Sequence, residues 1–181
     1  MKARISMVLL AIIILSFTLS SQNNSSAKME KQVIDKFQVV GIAVRTSNAN
    51  GQAATDIEAL WTRFWTEDIR NKVPNSISED IYAVYTDYES DYTGAYTMII
   101  GMPVNSLEQI PEGYEGITIE KDNYKKYVSK GKMPEAVVKT WMEIWQEKTL
   151  KRAYKADFTV HGKKYFDGDK AEVETFISIK E

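Results

Sequence analysis

The chain has 181 residues, one histidine and no cysteine, which excludes disulfides, zinc thiolate centres, a thiol nucleophile and a lipidated cysteine. Setting aside Lys2 and Arg4, the only charges in the first 27 residues, leaves 21 basic against 25 acidic side chains. That balance argues against a nucleic-acid partner, which needs a basic footprint.

Lys2 and Arg4 precede an uncharged apolar run from Ile5 to Leu19, and the polar stretch Ser20 to Ala27 follows. This is the order of a secretory signal. The run is short for a membrane span, which needs about 17–25 residues, so the reading is a cleaved signal peptide or an uncleaved anchor over 1–27. Positive charge at the start keeps that end inside. The domain is then expected outside the cytoplasm, periplasmic or extracellular, or held on the outer face of the cytoplasmic membrane. Residues 28–32 read as a linker and 33–181 as one domain with its own core.

Phe37 to Arg45 is rich in β-branched residues and bounded by polar turns, the signature of a strand. Thr55-x-x-Glu58 has capping-box spacing, and Ile57, Leu60, Trp61 and Phe64 follow at helical intervals. A helix over about 55–70 is predicted. Pro74-Asn75-Ser76 ends that segment, and strands are expected at 80–87 and 96–104. The second half repeats the order: a strand over about 116–128, a helix opening near Pro134 and running to about 148, then strands near 151–161 and 171–179. Trp141-x-x-x-Trp145 stands in the second helix where Trp61-x-x-x-Trp65 stands in the first. Two tandem β-α-β-β units predict an α+β fold, a mostly antiparallel sheet with helices on one face.

Enzyme constellations are sparse. With His161 as the sole histidine there is no two-histidine metal motif and no elbow for a serine triad; neither metal nor cofactor is expected. Glu172 and Glu174 share one face of the last strand, since side chains alternate. Each tryptophan pair lies on one helix face, suited either to the core or to a ligand wall. An acid among aromatic faces favours an organic cation, each cation–π contact contributing ~0.5–2 kcal/mol.

These segments, in this order, resemble the GyrI-like small-molecule-binding domain: Phe37 to Arg45, the Trp61/Trp65 helix, Ile81 to Glu89, Tyr96 to Gly101, the Trp141/Trp145 helix, Lys151 to Phe158 and Ala171 to Ile179. The resemblance covers about residues 33–180. It is similar to the effector-binding domain of AraC-type and MerR-type multidrug-responsive regulators, and to stand-alone proteins, some encoded by integron cassettes. It implies pseudo-twofold symmetry and a pocket between the halves for hydrophobic, often cationic, compounds, with the tryptophan helices as walls. A glutamate of the final strand supplies the pocket charge in that family, and Glu174 holds the matching position. Two departures stand out: Phe176 where a tyrosine is usual, and Phe158-Thr-Val-His161 where many members read Phe-Glu-Val-Tyr. The latter makes the pocket pH-sensitive if His161 points inward.

The expected ligand-binding set is Glu174, Trp145, Tyr85, Tyr96, Tyr124 and His161, taking a hydrophobic or cationic organic ligand. No helix-turn-helix precedes residue 33, so direct transcriptional regulation is not expected. Two alternatives stay open: a hydrolase of strained rings with Glu174 as general base, and an interaction module of the cell envelope.

Overall fold

The computed structural model describes residues 31–180; the signal or anchor expected over 1–27 lies outside them. In chain order the elements are β1 (Lys31–Ile34), β2 (Phe37–Ser47), α1 (Gln52–Thr66), α2 (Ile69–Lys72), β3 (Ile81–Thr86), β4 (Ala95–Val104), β5 (Glu115–Ile119), β6 (Asp122–Lys130), α3 (Glu135–Gln146), β7 (Ala156–His161) and β8 (Glu172–Ser178). Eight strands form one sheet in the order β1-β6-β8-β7-β3-β4-β2-β5, with every named pair antiparallel. The order is palindromic. Each half contributes a β-α-β-β unit (β2-α1-β3-β4 and β6-α3-β7-β8), and the equivalent strands β3 and β7 meet at the centre, Val84 opposite Phe158. The doubled α+β architecture read from the sequence is the one observed.

The stretch expected as one strand over 116–128 is two. β5 pairs with β2 of the first half and β6 with β8 of the second, so the chain must cross between halves at 120–121. Lys36 with Glu120 (3.3 Å) and Asp35 with Lys121 (2.7 Å) tie this crossing to the β1–β2 junction. Both are exposed pairs and contribute little to stability. At the middle of the β2–β4 ladder Gly41 faces Gly101. A Cβ on Gly41 would sit 2.1 Å from the Ile100 carbonyl oxygen, and one on Gly101 2.2 Å from that of Val40, so the two backbones approach only because neither residue has a side chain.

Both sheet faces are covered. On one side Val39, Val84, Ile99, Ile119, Tyr124, Phe158 and Phe176 form a closed aromatic cluster, with Phe158 stacked on Phe176 at 4.8 Å and edge-on to Tyr124 at 5.2 Å. On the other side α1 buries Ala53, Leu60 and Phe64 against Ile42, Met98 and Ile100. Its partner α3 buries only Thr140 and Ile144. Thr140 reaches the sheet through a 2.7 Å hydrogen bond donated by Ser129 Oγ.

The first helix begins one turn earlier than its capping pattern suggests. Gly51, at φ 73°, turns the chain into Gln52, which leaves Thr55 and Glu58 inside the helix, and Glu58 is freed for other contacts. It also ends earlier, at Thr66, where Asp68 adopts φ 53° and Ile69 turns inward to start α2.

Candidate functional site

A cavity of about 600 Å³ lies between α1 and α3 on the helix side of the sheet, within the size range of small-molecule sites. One wall is the α1 stripe Ala54, Glu58, Trp61 and Trp65; the facing wall is Pro134, Val137, Val138 and Trp141 from the start of α3; and Tyr85 (β3), His161 (β7) and Tyr165 also line it. Helical spacing accounts for both walls. With 53, 60 and 64 of α1 turned to the sheet, 54, 58, 61 and 65 face sideways across the gap. Trp61 stacks on Trp65 at 6.2 Å and touches His161 at 4.9 Å. Exposed Val138, Trp65 and Phe166 give the mouth an apolar rim.

Glu58 is the one charged residue lining the cavity, and among the described residues it has no ionic or hydrogen-bond partner. His161 is 5 % exposed, and burial depresses its pKa from 6.5 to about 4. It therefore stays neutral at ordinary pH, and the expected pH sensitivity moves into the acid range. Its Nε2 shares a 2.9 Å hydrogen bond with Thr159 Oγ1, while Nδ1 has no partner among the described residues. Tyr85 is raised well above the ordinary phenol range, by burial first and by neighbouring Tyr96 next.

Tyr85 and Trp141 meet edge-on at 4.7 Å, and behind them is a second space of about 20 Å³ reached by Tyr88, Tyr92, Tyr96, Trp145 and Arg152. Arg152 Nη2 donates to Asp157 Oδ2 at 2.5 Å. Tyr88 donates to the same oxygen at 2.9 Å, and the backbone N–H and hydroxyl of Ser178 donate to Oδ1 at 2.7 and 3.0 Å. Burial alone would lower the Arg152 pKa; the Asp157 carboxylate overrides it and keeps the guanidinium charged.

Of the six expected residues, Tyr85 and His161 line the main cavity, and Trp145 and Tyr96 line the small space behind it. Trp145 stacks on Tyr92 at 5.9 Å, and the Tyr96 hydroxyl donates to Asn48 at 3.1 Å, burial first pushing its pKa up to about 12. Glu174 and Tyr124 are elsewhere and line neither space. In β8, Thr175 faces the helices beside Thr159, so Glu174 shares the opposite face with Phe176 and pairs there with Lys126. Tyr124 is 1 % exposed in the aromatic cluster of that face. Glu174 was placed by family position, and strand parity puts it on the face away from the cavity. Glu58, Tyr165 and Arg152 were not anticipated; only the i, i+3, i+7 relation of Glu58 to Trp61 and Trp65 pointed to the first. No three His, Asp or Glu side chains among the described residues are grouped to hold a metal, and no helix among them is long and apolar enough to cross a membrane.

Known proteins share this fold. The Bacillus subtilis (strain 168) protein YobU is 29% identical over 151 residues, 81% of this chain and 94% of its own. An integron cassette protein from the mobile metagenome of Vibrio cholerae superposes with a TM-score of 0.65 at 29% identity, covering 83% of this chain and 94% of that one. SAV2435, solved bound to tetraphenylphosphonium, has the same fold with a TM-score of 0.70 at 20% identity over 83% of this chain and 93% of its own. Over residues 32–179 the chain matches the model of one family and belongs to it: the integron-associated effector-binding proteins, a family consistent with small-molecule binding.

Proposed function

We infer that the domain binds a hydrophobic aromatic cation in the cavity between α1 and α3, without turning it over. The observation that carries this reading is one acid, Glu58, beside Trp61 and Trp65 and across from Trp141, in a cavity of about 600 Å³. Aromatic faces and a carboxylate attract the same ligand by cation–π contact and charge. The tetraphenylphosphonium bound by SAV2435 is a molecule of that class and a fitting first probe. Residues 1–27, with their basic start and apolar run, support a location outside the cytoplasm, which fractionation of cells expressing the full chain tests.

Calorimetric titration with tetraphenylphosphonium tests the site. Saturable binding is expected, weakened about fivefold by Glu58→Gln, the scale of one partly screened ion pair. Unchanged affinity in that variant would remove Glu58 from the site, and absence of binding to the unaltered protein would end the cation reading.

A further inference from the structure

The small space behind Tyr85 and Trp141 has chemistry the main cavity lacks. Arg152 is 6 % exposed and lines this space, yet only Nη2 of its guanidinium is engaged. Nε and Nη1 have no hydrogen-bond partner among the described residues, and Nε1 of Trp141, which lines the space too, is buried beside the Tyr85 hydroxyl. Unsatisfied buried donors of this kind are costly unless something accepts from them. The guanidinium is held by aromatic rings rather than by a second acid: its centre lies 4.4 Å from the Tyr154 ring, 5.8 Å from Tyr88 and 5.9 Å from Trp141.

We propose that this space is a second subsite of the ligand cavity, and that it accepts a neutral oxygen acceptor, such as a ketone or amide carbonyl, on the end of the ligand remote from its positive charge. The proposal rests on the cation reading for the orientation of the ligand but not for the subsite itself. Three observations support it. The two spaces share Tyr85 and Trp141 as their partition, so a ligand in the main cavity that displaces Trp141 meets the small one directly. A volume of about 20 Å³ takes one oxygen-sized group and little more. Finally, Arg152 is already charge-paired with Asp157 at 2.5 Å, so the pair offers spare donors without spare charge; a carboxylate would meet the Asp157 charge, whereas a carbonyl would not. Trp141 can yield because α3 is lightly held, with Thr140 and Ile144 its only buried residues. Glu58 in the main cavity and Arg152 behind the partition then give the ligand a direction, cation beside the acid and acceptor toward the guanidinium.

Two matched pairs of probes test this by calorimetry on the intact domain. One pair is (4-acetylphenyl)triphenylphosphonium and (4-ethylphenyl)triphenylphosphonium; the other is 4-acetylbiphenyl and 4-ethylbiphenyl, neutral and of the same relative shape. The acetyl member of each pair is expected to bind at least about tenfold tighter, the scale of a hydrogen bond to a charged donor. That advantage should fall below about threefold in Arg152→Lys, which keeps a cation for Asp157 and removes the extra donors. In the unaltered protein the Trp141 indole N–H resonance should move with the acetyl probes and not with the ethyl ones, a readout that needs no variant to fold. Equal affinities within both pairs, or an acetyl advantage that survives Arg152→Lys, overturn the subsite. If both phosphoniums bind and neither pair shows an acetyl advantage, the cation reading stands and the subsite falls. If neither phosphonium binds while 4-acetylbiphenyl outbinds 4-ethylbiphenyl, the subsite stands and the cation reading falls; binding of no probe overturns both.

Discussion

The two faces of the sheet differ along a single strand. On β7, Phe158 and Val160 look into the aromatic cluster, while Thr159 and His161 look toward the helices. The first face is closed by ring-on-ring packing. The second keeps hydroxyl and imidazole groups buried, some of them unpaired, around a cavity. The helix side is fully packed under α1 and open only beside β7, so recognition belongs to that opening while both packed clusters contribute stability. The largest expected effect follows directly: Phe158→Ala should cost about 3–5 kcal/mol, as deletion of a buried ring does, measured by denaturant unfolding. Its affinity for tetraphenylphosphonium under folding conditions should stay within about twofold. A large loss of affinity would break the division between the faces.

Acid titration sharpens the same comparison from the cavity side. The folded state holds His161 neutral down to about pH 4, whereas the unfolded chain takes up its proton near 6.5. Because the unfolded state binds more protons between those values, stability is undiminished above pH 6.5 and is lost as the pH falls toward 4. The full difference is about 3 kcal/mol. Unfolding curves across that range should be steeper in pH for the unaltered protein than for His161→Gln by about this amount. Ligand affinity should be flat between pH 7 and 8, since His161 carries no charge there; a change over that interval would restore the pH-sensing role suggested by the sequence.

Thr175 allows a smaller test with the opposite sign. It lies beside Thr159 on the helix side, fully buried, and its hydroxyl has no partner among the described residues. Replacing it by valine removes a buried, unpaired polar group at nearly constant volume. Thr175→Val should leave the protein as stable or stabilise it by up to about 1 kcal/mol, read from the unfolding midpoint. A clear loss would mean that the hydroxyl is satisfied in solution and that the helix side of the sheet holds water beside Thr175.

What the sequence disclosed follows from periodicity. The doubled order and the two tryptophan helices were legible because a period of 3.6 against a period of 2 survives any tertiary context. The site was legible only in part. Thr55-x-x-Glu58 satisfies a capping pattern, and nothing local shows that Gly51 starts the helix a turn earlier, so Glu58 went unnoticed. In β8 both alternating sets contain apolar residues, Val173 and Ile177 on one side and Phe176 on the other, because both faces of the sheet are covered. Alternation shows that Glu174 and Phe176 go together; it does not say which of two covered faces meets the ligand. Arg152 was hidden for another reason: its partner Asp157 is five residues away across a loop, with no helical or strand period to join them.

Glu174 gives the smallest expected effect and the sharpest contrast with its reading from sequence. Its carboxylate pairs with Lys126, and its side chain is 44% exposed. Exposed pairs of this kind contribute at most about 1 kcal/mol and often nothing measurable. Glu174→Gln should therefore change stability by less than about 0.5 kcal/mol and leave tetraphenylphosphonium affinity unaltered, because the group lies on the Tyr82 side of the sheet, where its charge helps burial and Asp80 to raise the Tyr82 phenol. If the affinity instead dropped as far as in Glu58→Gln, the ligand would have to sit against the aromatic face. The two faces would then have exchanged the roles that their packing assigns them.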